Sequence, residues 1–336
     1  MKKAIFLLMI IGIGLSMIVH PVNESMAAQK VILKAVSCWP VDNIANDMYK
    51  EYIKLVNERA KGELEIKFIG GPEVISVYDQ MKGLDTEVID MFHGTPGYYT
   101  GIVPEGTIPE LVTYKSELKA YRSSGMLDIL SKAYLEKAHA VFLGTVIIGY
   151  PTYLMTKNPA SKLADIKGLK FRSIGGLTDV VAGELGLALV RIPSPEVYEA
   201  LNRGIADGML RNPMTLIAFK EYEVIKYIFT PPVTNQAGVV WVGEKQWNRI
   251  PKHLQKIMMD TMIETEPKAN QYYLDVDRRC LKEATEKHGL KIVELSDADR
   301  LKLSEVRTGV GVRNWIDKNA PQYGRLVYEK VLPYIK

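Results

Sequence analysis

Beyond residue 30 the chain alternates between apolar stretches of strand length and amphipathic stretches of helix length. This alternation constrains the fold more than any other feature. Val31, Leu33 and Ala35 open a strand that ends at Ser37-Cys38-Trp39-Pro40, and Tyr49, Ile53, Val56 and Ala60 then recur at near-helical spacing until Lys61-Gly62. Leu64, Ile66 and Phe68 alternate with polar neighbours up to the Gly70-Gly71-Pro72 turn. A short helix follows from Val77 to Leu84, and Val88 to Phe92 is a buried strand broken by His93-Gly94-Thr95-Pro96-Gly97. Strand, helix, strand, helix, strand in that order gives a largely parallel sheet with helices on its faces, so the expected class is α/β.

The pattern restarts after a loop rich in Pro and Gly, Gly101 to Pro109, and the 336 residues are about twice a typical domain. Ser116 to Lys137 is helical in composition, and Ala140 to Ile148, Tyr153 to Thr156 and Leu169 to Ile174 are strands. Thr178 to Leu185 and Pro195 to Arg203 are helices, the latter capped by Ser194 and stopped by Gly204. Met214 to Tyr222 is a further helix, Lys226 to Thr230 a strand, and Gln236 to Val242 an apolar strand that returns the chain to its first half. Lys245 to Lys287 is helical, Leu290 to Leu295 is a strand, and terminal helices run from about Ala298.

Two α/β lobes are therefore expected: lobe I from residues 28–150 plus 236–265, lobe II from 151–235 plus 266–310, with C-terminal helices over 311–336. Two crossings, near Ile148 to Tyr153 and near Pro231 to Gly238, would make a hinge, and the interlobe cleft is the default ligand site.

Lys2 and Lys3 precede an uncharged apolar run from Ala4 to Val19, then Asn23-Glu24-Ser25 and the small pair Ala27-Ala28. This reads as a secretory signal peptide over residues 1–27, cleaved before Ala28, because the run is shorter than the roughly 20 residues of a spanning helix. A periplasmic location is expected. Cys38 and Cys280 lie far apart and in no Cys-x-x-Cys unit, so two free, mostly buried thiols are expected. A net charge of +4 from 43 basic and 39 acidic residues, evenly spread, offers no basic stripe for phosphate tracking, and nucleic acid is not expected as a partner.

Chemistry-bearing motifs are sparse. His20 lies in the leader, and His93, His139, His253 and His288 are isolated, without the paired spacing of a helix-borne zinc site. Gly-x-Ser-x-Gly and P-loop motifs are absent, and Gly12 and Gly14 sit inside the apolar leader. No cofactor, no metal and no catalytic residue are expected.

One stretch is more specific: Asn158-Pro159-Ala160-Ser161-Lys162-Leu163-Ala164-Asp165-Ile166-Lys167-Gly168-Leu169-Lys170-Phe171-Arg172, followed by Pro195-Glu196-Val197-Tyr198-Glu199-Ala200-Leu201 and Gly204-Ile205-Ala206-Asp207-Gly208. It resembles the substrate-binding proteins of tripartite ATP-independent periplasmic (TRAP) transporters. The likeness extends to Gly62 through Gly71, Val88-Ile89-Asp90-Met91 and Trp247-Asn248-Arg249-Ile250-Pro251. It implies a fold of periplasmic binding protein type, two lobes closing on a ligand, and it places Arg172 where the family keeps the arginine that pairs with a substrate carboxylate. The chemistry agrees, since a planar, permanently charged fork meets a carboxylate through two parallel hydrogen bonds.

Two departures from the family pattern matter. The position that carries a second arginine in relatives for acidic sugars and some dicarboxylates falls near Thr152, next to Tyr153, which points toward a monocarboxylate. The family's Asp-Gly-Gln-Glu-Asn-Pro is here Asp207-Gly208-Met209-Leu210-Arg211-Asn212-Pro213, so that either Arg211 or Asn212 faces the ligand. Trp39, Asp42, His93, Tyr98 and Tyr99 follow first-lobe strands and would complete the cleft, the aromatics closing over the ligand's apolar part.

The expected function is an exported monomeric receptor that binds a small organic carboxylate and delivers it to the membrane subunits of a TRAP permease. Two other readings stand beside it: presentation of the ligand to a sensor kinase, and an exported hydrolase or lyase on a bilobal scaffold.

Overall fold

The computed structural model describes residues 30–112 and 118–335, and the leader with its expected cleavage point lies outside the described residues. In chain order the strands are β1 (Val31–Ser37), β2 (Leu64–Gly70), β3 (Met91–Gly94), β4 (Ala140–Thr156) and β5 (Lys170–Ser173). β6 (Ala188–Arg191), β7 (Gly208–Arg211), β8 (Tyr227–Thr230), β9 (Thr234–Gly243) and β10 (Lys291–Glu294) complete them. β1 pairs in parallel with β2 on one side and β3 on the other, as helical crossovers through Asp47–Arg59 and Gln80–Asp85 require. β3 runs on through His93 and Gly94, beyond the end its sequence suggests, because both residues are still paired antiparallel to β9.

β4 organises the molecule. Its sequence reads as two strands separated at Gly149–Pro151, yet the structure forms one strand of 17 residues. The ladder to antiparallel β9, from Ala140↔Gly243 to Thr152↔Thr234, carries it across the gap, and three register shifts absorb the bending. Past Thr152 the same strand changes neighbours: Tyr153 to Thr156 pair with β7, and Met155 and Thr156 also with β8. β5 lies parallel between β7 and β6. The order β2-β1-β3-β9-β4-β7-β5-β6 is thus one ribbon of two α/β halves, joined by the paired middle of β4 and β9.

β6 and β7 carry no strand signal in the sequence. Each has four residues, and β7 is buried along its length, which removes the alternation that marks a half-buried strand. The helical stretch expected from Ser116 is two helices, Leu118–Ser123 and Met126–Ala138, divided where Gly125 takes φ 80°. Ser116 and Glu117 lie outside the described residues.

Helix Lys252–Glu286, 35 residues long, ties the halves together. Leu254, Met258 and Met262 bury against Tyr49, Tyr52 and Leu33 of the first half, and Ala284 joins Met209, Ile228 and Leu201 of the second. The C-terminal helices span the division too. Val310–Asn319 packs on Leu177–Glu184 of the second half, and Gly324–Val331 packs on Met126–Ala138 and the 3-10 segment Pro104–Leu111 of the first. Among the described residues no helix is long and apolar enough to cross a membrane, and no cluster of three or more His, Cys, Asp or Glu could hold a metal ion. Cys38 and Cys280 are free thiols bordering one apolar cluster.

Asp277 gives the long helix a measurable pH signature. Burial beside Tyr150, Tyr273 and Val276 raises its carboxyl from 3.8 to about 7. A carboxyl whose folded pKa exceeds its unfolded one favours folding at low pH, and that contribution is lost as pH rises from about 4 to about 7. Asp277→Asn should therefore leave stability at pH 4 nearly unchanged and raise it at pH 8 by up to about 4 kcal/mol, read from denaturant midpoints at the two pH values. Equal shifts at both would show that Asp277 stays ionised throughout.

Candidate functional site

Arg172 leaves β5 on the face opposite Phe171, as strand geometry dictates, and the two side chains meet different surroundings. Phe171 enters the apolar core, whereas the Arg172 guanidinium, only 2% exposed, enters a polar cavity between the halves. Its Nε donates to the Ile192 carbonyl at 2.9 Å and its Nη2 to Ser194 Oγ at 3.4 Å. Among the described residues no carboxylate stands within ion-pair distance of it. Burial, reinforced by the neighbouring Arg211, lowers its pKa to about 10, so it remains cationic at neutral pH but uncompensated.

Arg211, at the end of β7, is held quite differently. Its Nε and Nη2 grip Glu221 Oε2 and Oε1 at 3.1 and 2.8 Å, a two-pronged ion pair in which both side chains are buried. Its Nη1 donates to Ser194 Oγ at 2.8 Å, and the guanidinium stacks 5.3 Å above the Phe219 ring. Burial pushes the Glu221 carboxyl upward, while Arg211 opposes the rise. The two arginines together with Glu221 leave one cationic charge to be met from outside.

Ser194 links the two guanidiniums. Its position before Pro195 suggests a helix cap, but the residue itself begins a 3-10 turn, Ser194–Glu196, and its hydroxyl accepts from both arginines instead. Asn212 does cap a helix: its Oδ1 accepts from Thr215 N at 2.9 Å and opens Pro213–Ala218. Its Nδ2 donates to Gln236 Oε1 at 2.7 Å, connecting the second half to β9.

The cavity at Arg172 draws Glu110 from the first half, Thr152 from β4, Asn235 and Gln236 from β9, and Ile174, Thr178, Leu210 and Arg211 from the second half. It encloses about 20 Å³, room for about one water molecule. A metabolite therefore enters only if the halves separate, and the paired middle of β4 and β9 is where they can pivot. Their present approach is close: Gly176 adopts φ 76°, and a Cβ there would lie 2.6 Å from Thr107 Cγ2 of the other half. Thr107 Oγ1 in turn accepts from Leu177 N at 3.3 Å.

A larger hollow, about 430 Å³, lies between the loop after β1 and helix Pro213–Ala218. Asp42 borders it with Pro40, Ile44, Met214 and Phe219, and no cationic side chain lines it. A carboxylate there would face Asp42 without compensation, so charge favours the smaller cavity despite its size.

The remaining expected site residues fall into two groups. Tyr98 Oη accepts from Ser194 N at 3.4 Å, and its ring meets Tyr78 edge-on at 5.3 Å, which sets it beside the arginine pair. Tyr153 sits opposite Arg211 in the ladder but packs with Met155, Ile192 and Leu216. Trp39 and His93 meet at 4.8 Å with their rings tilted by 43°, and Tyr49 meets the imidazole at 5.1 Å, tilted by 39°. Neither nitrogen of His93 has a hydrogen-bond partner, and burial lowers its pKa to about 3, so it is a neutral packed ring that does not line the cavity. Tyr99 packs on Phe92 and Trp241, also away from the cavity.

Glu110, Thr178, Asn235 and Gln236 are cavity residues that sequence reasoning does not single out. Asn235 and Gln236 open a strand whose apolar run marks only its later part. Glu110 has no local signal beyond being a carboxylate in an apolar segment, Ile108-Pro109-Glu110-Leu111.

Comparison with known proteins places this geometry in context. The DctP family model, described as bacterial extracellular solute-binding protein, family 7, matches residues 36–310. A solute-binding protein of Albidiferax ferrireducens is 23% identical over 288 residues, which cover 81% of each chain. A TRAP periplasmic solute binding protein from Desulfovibrio salexigens, solved with bound orotic acid, is similar with a TM-score of 0.81 and 21% identity over 91% of this chain and 100% of that one. DctP7, a Bordetella pertussis extracytoplasmic solute receptor binding pyroglutamic acid, gives 0.77 and 18% over 91% and 99%. At these identities the structural likeness is one of fold: two α/β lobes about a cleft.

Proposed function

The chain belongs to family 7 of the bacterial extracellular solute-binding proteins, and from that premise we propose that it captures a small organic carboxylate at Arg172 and hands it to the membrane subunits of a TRAP transporter. The observation that carries this reading is the buried, uncompensated guanidinium of Arg172 at the junction of both halves. A buried cation without a partner is costly, and a carboxylate supplies both the missing charge and a matching pair of acceptors. Orotic and pyroglutamic acids, bound by the two structural relatives, are both carboxylic acids.

Ligand-driven closure follows from the placement of the lining residues. Arg172 comes from the second half and Glu110 from the first, so only a closed molecule brings both to one ligand, and binding shifts the population toward that form. Export by the N-terminal leader would deliver the receptor to the periplasm, where the permease could distinguish closed from open surfaces.

Melting the mature protein against a panel of metabolite carboxylates tests the proposal. A ligand present at a hundred times its Kd should add about 2.7 kcal/mol and raise Tm by several degrees. A panel of carboxylates that leaves Tm unmoved would falsify the receptor reading.

A further inference from the structure

Glu105, Glu110, Glu221 and Glu266 are buried glutamates, each at most 2% exposed. Three of them have a cation: Glu105 pairs with Lys137 at 2.7 Å, Glu221 with Arg211 at 2.8 Å, and Glu266 with Arg122. Among the described residues no basic side chain pairs with Glu110. Its Oε2 accepts from Thr178 Oγ1 at 3.4 Å, which is itself 3.1 Å from Thr234 Oγ1, and its Oε1 is buried without a hydrogen-bond partner. A carboxylate taken out of water with one neutral hydroxyl beside it is far costlier than the acid, so the acid is the form that fits this place. With Oε2 already accepting, the proton of the acid sits on Oε1, in the lining of the Arg172 cavity, as a donor that meets no acceptor of the protein.

The burial is made jointly by the two halves. Glu110 belongs to Pro104–Leu111 of the first and Thr178 to Leu177–Glu184 of the second, so separating them withdraws Thr178 and lets water reach the carboxyl, which then ionises as an exposed glutamate does. We propose that closure over the ligand takes up one proton from solvent, and that Glu110 holds this proton and donates it in a hydrogen bond to an acceptor on the ligand. This rests on the carboxylate-receptor reading of Arg172 and adds a second binding group to it. The charged surroundings agree. Helix Leu177–Glu184 brings Asp179, a like charge, while β5 and β7 bring Arg172, which awaits the ligand, and Arg211, which is spent on Glu221. Glu105, on the same segment as Glu110, is met by Lys137, and β4 and β9 bring only Thr152, Thr234, Asn235 and Gln236. Burial raises the Glu110 carboxyl well above its ordinary range, the Thr178 hydroxyl opposes the rise, and Asp179 adds to it. Arg172 stays cationic and a metabolite carboxylate anionic from pH 6 to 8, so neither accounts for the proton.

Isothermal titration of the mature chain tests this, with the tightest-binding carboxylate of a panel containing pyroglutamate, orotate, lactate and succinate. In phosphate, Hepes and Tris at pH 7.5, whose ionisation heats differ, the dependence of the observed enthalpy on buffer should report uptake of about one proton by the wild type and about none by Glu110→Gln. Kd should rise about tenfold per pH unit from pH 6 to 8 in the wild type and stay nearly flat in Glu110→Gln. Glu110→Leu should also lose the uptake, and at pH 6 it should bind about tenfold more weakly than Glu110→Gln, whose amide still donates. Asp277→Asn should keep the uptake, which separates Glu110 from the other raised carboxyl. Melting of each variant confirms that it folds. An absence of uptake in the wild type, or uptake that survives in Glu110→Gln or vanishes in Asp277→Asn, overturns the inference, while binding that still depends on Arg172 leaves the receptor reading standing. If no compound of the panel binds, both fall.

Discussion

Replacing Arg172 by leucine is expected to abolish carboxylate binding and at the same time to raise the melting temperature of the ligand-free protein. The two effects share one cause. Holding the guanidinium at about 10, well below its ordinary value, means that its charged form is about 3 kcal/mol less stable in the folded protein than in the unfolded chain. Leucine removes that burden and keeps apolar volume, although it forfeits the hydrogen bonds to Ile192 and Ser194. Because the folded pKa lies below the unfolded one, the burden is present throughout the neutral range and fades only as pH rises above about 10.

The gap in Tm between Arg172→Leu and the wild type should accordingly be flat from pH 5 to 8 and shrink above pH 10. Affinity should fall by at least about a hundredfold, since a carboxylate brought into the same cavity would lose two charge-assisted hydrogen bonds and find no counter-charge. Arg172→Lys separates charge from shape: it should recover part of the affinity, because an ammonium restores compensation without the fork. A variant that melts lower than the wild type and binds as well would show that Arg172 is a structural residue.

The parts of this molecule legible in the sequence are those where local pattern and tertiary role coincide. The first three strands alternate or run apolar at strand length and are joined by helices, which leaves a parallel arrangement as the outcome. Arg172 is legible through its setting, a Lys-Gly-Leu-Lys-Phe-Arg strand entry followed at fixed spacing by Asp207-Gly208. What was not legible depends on contacts distant in sequence. β4 is a single strand because β9, some ninety residues later, pairs with it across Pro151. Ser194 is diverted from capping by Arg211, 17 residues on, and no local rule weighs one demand against the other. His93 sits at a strand end that would aim it into the cleft, but the strand continues and Trp39 and Tyr49 enclose the ring. Glu110 becomes meaningful only when the fold brings it to the lining of the same cavity as Arg172.

The alternative between Arg211 and Asn212 as the ligand-facing residue has a physical resolution that stability measurements can check. Arg211→Leu is expected to be the most destabilising change in the site. It strands Glu221, a fully buried carboxylate whose two oxygens are both held by that guanidinium, and breaking a buried pair from one side costs about 3–5 kcal/mol. A fall of roughly ten degrees in Tm is the expected reading. Glu221→Leu should fall comparably, because it leaves two unpaired guanidiniums sharing Ser194. Removing both partners together should restore most of the loss, since desolvation of each charge disappears along with their attraction, so the double mutant should be far more stable than the sum of the singles predicts. Affinity in the double mutant should remain within about tenfold of the wild type, because Arg172 keeps its charge and its access to the cavity. The opposite pattern, unchanged stability in Arg211→Leu with binding lost, would mean that Arg211 leaves Glu221 when the ligand arrives and acts as a second clamp. The geometry argues against that exchange: it would trade a bidentate buried ion pair for one ligand contact while setting Glu221 free beside an incoming anion.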